Sequence, residues 1–138
     1  MTEQEVLQVS MHIDELRSGA EYRKAYLLIR RRRPDITRLD KESDEYAAIR
    51  LLIGTWEQIA IFVQRFDEKQ RHKLFRCQPV SLMWEFLKTA VEEIRKSLGN
   101  KYAENFEGLH NQYQAWIKSP DGIDYRTAAQ QAICARFA

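Results

Sequence analysis

Glu107 and His110 stand as Glu-x-x-His, the spacing with which di-iron helical bundles place two metal ligands on one helix face. Such a centre needs a second pair and two further carboxylates, and neither is present. The pair also lies just off the apolar seam of Phe106 and Leu109, so its side chains are expected to lean toward solvent as ordinary helix-surface links. His12 with Glu15 and Glu68 with His72 have reversed or wider spacings and no partner motif. The expectation is therefore no metal and no cofactor. Cys77 precedes a predicted helix starting at Pro79, and a helix N-terminus lowers a thiol pKa. With His72 as base it would make a nucleophile, but nothing completes the dyad. Glycine-rich phosphate loops and nucleophile elbows are missing from the sequence, so no catalytic residue is assigned.

The strongest local charge is the run Arg30, Arg31, Arg32 and Arg33, with Lys24 and Arg38 nearby. Four cations at a helix C-terminus complement the helix dipole. Guanidinium groups also bind phosphates and carboxylates bidentately. A second cluster of Arg71, His72, Lys73 and Arg76 could join the first in space to contact a partner or a phosphate. Against nucleic acid, Asp35, Asp40, Glu42 and Asp44 follow closely, and no helix-turn-helix accompanies the arginines. Trp56, Trp84 and Trp116 each fall on the apolar face of a long helix and read as core. Tyr22, Tyr26, Tyr102 and Tyr113 could border a groove that takes a partner helix.

The elements that position these residues are helical. In 138 residues with 5 Gly and 3 Pro there is little turn chemistry for an all-β fold, and one domain is expected. Apolar content of 44% and charged content of 30% suit a globular chain, and a net charge of +2 does not suggest a general nucleic-acid or membrane-surface binder. Two cysteines without C-x-x-C spacing and an acidic N-terminus point to the cytoplasm. The predicted architecture is all-α, a single-domain bundle of about six helices around a central helix near 45–65. N-terminal helices occupy 1–34, a core bundle 43–118 and a C-terminal helix 123–138.

Between Glu45 and Arg65, Ile49, Leu52, Trp56, Ile59 and Val63 form one apolar face, and Ala48, Leu51, Thr55 and Phe62 a second. Two apolar faces imply neighbours on both flanks. Arg50 and Glu57 make the run too short and too charged to span a bilayer. Gly54, mid-helix among bulky residues, is expected at a close helix approach. Thr2 with Glu5 and Ser18 with Glu21 are capping-box patterns, and Ser43 or Asp44 should cap the central helix. Pro34 ends the second helix, Asp67 caps a short one, and Gly99 closes the helix from Pro79 to Leu98. Asn100 should cap the next helix, Ser119-Pro120-Asp121-Gly122 is a turn, and Tyr125, Ala128, Ala129, Ala132 and Phe137 are available to pack the tail.

From Tyr46 to Trp116 the order LLIGTWEQIAIFVQRF, DEKQRHKLF, SLMWEFLKTAVEEIRKSLGN, YAENFEGLHNQY resembles a bacterial all-helical family, domain-of-unknown-function family 4760. Trp56-Glu57, Trp84, Arg95-Lys96, Phe106 and Leu109 occupy the family's packing positions. The resemblance implies a helical fold and supplies no activity. Some members carry a membrane-spanning N-terminus; residues 1–10 here hold no such stretch, so no membrane association is expected. The leading expectation is a small non-enzymatic interaction protein, an adaptor, inhibitor or regulatory subunit with a protein partner, compatible with homo-oligomerisation. The alternatives are a nucleic-acid-associated regulator using Arg30 to Arg33 and a metal-dependent helical enzyme centred on Glu107 and His110.

Overall fold

A computed structural model describes residues 1–137, with side chains described through residue 132. Seven helices follow in chain order: α1 (Glu3–Ser18), α2 (Ala20–Arg32), α3 (Asp44–Phe62), α4 (Glu68–Cys77), α5 (Val80–Leu98), α6 (Glu104–Ile117) and α7 (Pro120–Phe137). Short 3-10 turns at 36–38 and 63–65 complete the described residues, and none of them forms a strand. The all-α expectation is met.

Helix α3 is central because a wide apolar arc of it is buried: Ala48, Ile49, Leu52, Ile53, Trp56, Ile59 and Ala60. Of the expected second face, Leu51 is exposed and Thr55 and Phe62 are only half-buried. The helix packs most extensively against α2 on one flank and α6 on the other, with α1 and α5 making smaller contacts. Leu52, Ile53, Trp56 and Ile59 are fully buried, and each such side chain contributes roughly 1.5–3 kcal/mol on leaving water. By length and composition Asp44–Arg65 would suffice to cross a membrane, contrary to the sequence reading, although its core face is covered here by the other helices. Aromatic rings knit α3 to the α5–α6 hairpin. Phe106 stacks on Trp56 at 5.7 Å and meets the edge of Trp84 at 5.1 Å. The Trp56 indole N–H donates to the Tyr22 hydroxyl at 2.9 Å, tying α2 to the same core.

Several local signals act as read. Thr2 and Glu5 form a reciprocal capping box, Asp67 forms one with Gln70, and Ser43 caps α3. Gly99 lies at φ 96°, a region favouring glycine. Other signals are overridden. Ser18 does not open a new helix: it ends α1, and its hydroxyl donates back to the Glu15 carbonyl at 3.4 Å. The chain breaks instead at Gly19, whose extended ψ of 148° separates α1 from α2. Asn100 is not a cap either; α6 begins at Glu104 after a turn that leaves Ala103 left-handed at φ 60°. Residues 119–122 are a helix start rather than a turn. Pro120 takes the first helical position, where its missing N–H costs nothing, and the Ser119 hydroxyl accepts from the Gly122 N–H at 3.3 Å.

The close-approach glycine is Gly122, not Gly54. A Cβ on Gly54 would meet nothing within 4 Å, whereas one on Gly122 would lie 2.0 Å from the Trp116 carbonyl oxygen. Gly54 is exposed on the strip of α3 that faces water, together with Leu51, Gln58 and Ile61. Tyr125 docks α7 on its own chain, its ring 5.5 Å from Trp116. Ala128 and Ala132 are exposed, and the expectation for Phe137 lies outside the described side chains, as does Cys134.

Candidate functional site

Helix α6 carries Glu107 and His110, and both side chains reach groups of α5, Glu107 while remaining 41% exposed. The Glu107 carboxylate lies 3.4 Å from the Arg95 guanidinium, whose Nε also donates to the Tyr102 carbonyl at 2.8 Å. His110 Nδ1 is 2.9 Å from the Ser81 hydroxyl, and its ring stacks on Trp84 at 5.6 Å. Partial burial lowers the His110 pKa, against the opposing pull of Glu85 and Glu107. The two groups therefore serve separate partners and do not converge on a common point. No group of three His, Cys, Asp or Glu side chains able to hold a metal ion occurs among the described residues.

His12 lies 3.7 Å from Glu15 on the surface of α1. His72 lies between Glu68 at 3.8 Å and Asp121 at 3.5 Å, with its ring against Trp116. Cys77 is exposed on the same helix. Five residues apart at about 100° each, His72 and Cys77 point to different sides of α4, so the helix does not make them a dyad.

The two basic clusters do not merge. Arg32 forms an ion pair with Glu45 in the first turn of α3, and the Arg32 contact lowers the Glu45 carboxyl pKa. Arg71 donates to the Phe66 carbonyl beyond the other end of that helix. The 19 residues of α3 separate these anchor points by roughly 28 Å. Arg76 pairs with Asp121 at the start of α7, and Lys73 is exposed. Within the first cluster, Arg30 lies 5.6 Å over the Tyr26 ring and donates to its hydroxyl at 3.0 Å. Arg31 and Arg33 are exposed. The helix-dipole role holds for three of the four, since α2 ends at Arg32. Arg33 is the left-handed cap beyond it, at φ 42°, its N–H donating to the Ile29 carbonyl.

A groove between α2 and α5 brings the arginine run beside exposed apolar surface. Two adjoining clefts of about 410 and 510 Å³ share Tyr26, Leu82 and Met83. Leu82 is 68% exposed, Leu27 43% and Phe86 38%, and the Phe86 ring lies 5.6 Å from Tyr26. Arg17, Arg23, Arg30 and Arg33 line the clefts, and no Asp or Glu does. Of the four tyrosines considered as groove residues, Tyr22 and Tyr26 border this one. Tyr102 instead lies under Arg50 at 5.0 Å, and Tyr113 packs on Phe75 at 5.5 Å. Leu82 and Phe86 carry no expectation from the sequence; they lie on α5 beside its buried seam of Trp84, Leu87 and Val91. Their signal was an apolar pair four residues apart beside that seam.

A smaller cleft of about 320 Å³ lies between residues 36–41 and the C-terminal half of α5, with Lys41, Glu93 and Lys96 among its lining groups.

The fold and groove define a small all-helical domain whose chemistry-bearing side chains are largely engaged in packing α4, α5 and α6 together. Residues 6–113 match the family model described as Domain of unknown function (DUF4760), and the chain belongs to that family. The match runs from α1 into α6 and includes every groove residue. No curated protein and no solved structure matches the chain.

Proposed function

We propose that this chain is a cytoplasmic, non-enzymatic interaction protein that binds another protein through the α2–α5 groove. The observation that carries the reading is the run of exposed Leu27, Leu82 and Phe86 along two adjoining arginine-lined clefts that share Leu82. Single exposed apolar residues are ordinary on a protein surface, but a concave group with a polar rim marks a binding surface. Its apolar floor supports a protein partner over a phosphate backbone, which would need cations without such a floor.

The test compares tagged wild type with Leu82→Asp/Phe86→Asp in pull-downs from a native lysate, quantified by mass spectrometry. Wild type is expected to retain a stoichiometric protein that the variant loses, with unchanged circular dichroism. Absence of any such protein, or its retention by the variant, overturns the reading. Recovery of nucleic acid that disappears with Arg31→Ala/Arg33→Ala would replace it by a nucleic-acid role.

A further inference from the structure

The groove's own chemistry specifies what it can hold. Its floor presents apolar groups four residues apart on α5, and its rim is positive with no acidic member. The complementary object is a helix with an apolar pair at the same spacing and carboxylates alongside.

The outer face of α1 has that composition. Leu7 and Met11 are 60% and 56% exposed, four residues apart, on the side of α1 turned away from its buried seam at Ile13. Glu3 and Asp14 continue the same stripe at its two ends, and Glu15 lies beside it, all exposed. Resting on the groove reading above, we propose that the occupant is α1 of a second copy of this chain. Leu7 and Met11 would seat over Leu82 and Phe86, with the acidic stripe facing Arg23, Arg30 and Arg33. Each copy carries one donor face and one groove, so a reciprocal exchange would satisfy both and close a pair. The contact joins apolar burial to opposite charge, so it should weaken as salt screens the rim.

The test is sedimentation velocity of the full chain from sub-micromolar to high-micromolar concentration. Wild type is expected to self-associate, and Leu7→Asp/Met11→Asp and Leu82→Asp/Phe86→Asp should each weaken association by more than about tenfold. Because Leu7 and Met11 are exposed in the single chain, the first variant probes the contact without disturbing the groove. Mixing the two variants restores one intact donor–groove contact, so a mixed species should appear where neither variant associates alone. A wild type that stays monomeric throughout, association that survives both variants, or no mixed species overturns the proposal. A monomer that nevertheless captures a different protein through Leu82 and Phe86 would overturn only the second-copy occupant and leave the groove reading standing.

Discussion

The carboxylate of Glu57, on the central helix, accepts the backbone N–H of Phe106 at 2.8 Å. It also takes the N–H of Asn105 at 3.0 Å and the Asn105 side-chain amide at 2.7 Å. Helix α6 begins after Ala103, which has no side-chain oxygen to cap the first turn, so Glu57 supplies from α3 the acceptor that the local sequence lacks. Its negative charge also lies at the positive end of the α6 dipole. The Trp56-Glu57 pair thus acts as a unit, with the indole stacking on the Phe106 ring and the carboxylate holding the Phe106 backbone.

Replacing Glu57 by Ala should lower stability by about 1–2 kcal/mol, the usual cost of losing a helix N-cap. Glu57→Gln should fall between, because one amide oxygen can replace one of the two acceptors while its NH₂ group faces a donor. Urea denaturation reads both values. Equal midpoints for wild type and Glu57→Ala would show that solvent satisfies the α6 terminus as well as Glu57 does.

The two glycines with opposite surroundings should respond oppositely to the same substitution. Gly54→Ala adds a methyl group into open space on a helix and should stabilise by up to about 1 kcal/mol. Gly122→Ala places a methyl 2.0 Å from the Trp116 carbonyl oxygen, and the α6–α7 junction must shift, at about 1–3 kcal/mol. Thermal melts of the pair should move in opposite directions, and a shift of the same sign in both would contradict the packing described at the junction.

These two sites show where sequence patterns carry information. The periodicity of α3 implied neighbours on both flanks, and α2 and α6 supply them. The second face it named does not pack as one: of Ala48, Leu51, Thr55 and Phe62 only Ala48 is buried, and Leu51 is exposed. Bulky residues surround Gly54 in sequence, yet it shares the water-facing strip of α3 with exposed Leu51 and Ile61. The partners of Glu57 lie 48 and 49 residues away, and those of the Leu82–Phe86 stripe lie on another helix, so neither has a local signature. Ser18 shows the converse: its capping-box spacing is real, but extension of α1 to Ser18 removes the terminus it would have capped.

Arg33 holds a left-handed conformation at φ 42° between the end of α2 and Pro34. Pro34 disfavours a helical Arg33, and the left-handed turn lets the Arg33 N–H reach the Ile29 carbonyl at 3.0 Å. For a residue with a Cβ this conformation costs roughly 1–2 kcal/mol. Arg33→Gly should therefore stabilise the fold, partly offset by the greater freedom of glycine in the unfolded chain. The expected melt increase, together with reduced groove binding from the lost cation, would separate the two roles of Arg33. A destabilised Arg33→Gly would mean that the arginine side chain contributes more in place than its backbone strain costs.

His110 gives the fold a pH dependence whose sign follows from its environment. Partial burial beside Ser81 and Trp84 depresses its pKa below that of an unfolded histidine, with Glu85 and Glu107 pulling upward and Lys88 adding to the depression. The unfolded chain therefore takes up the proton first. Stability from this site is complete above about pH 6.5, the ordinary histidine value, and is lost as the pH falls through the depressed folded value. His110→Gln removes the titration while keeping a polar partner for Ser81. Comparing urea midpoints in mildly alkaline and mildly acidic buffer, wild type should lose more stability on acidification than the variant. Equal losses would assign the acid sensitivity to other groups and place the proton on His110 as readily in the folded chain as in the unfolded one.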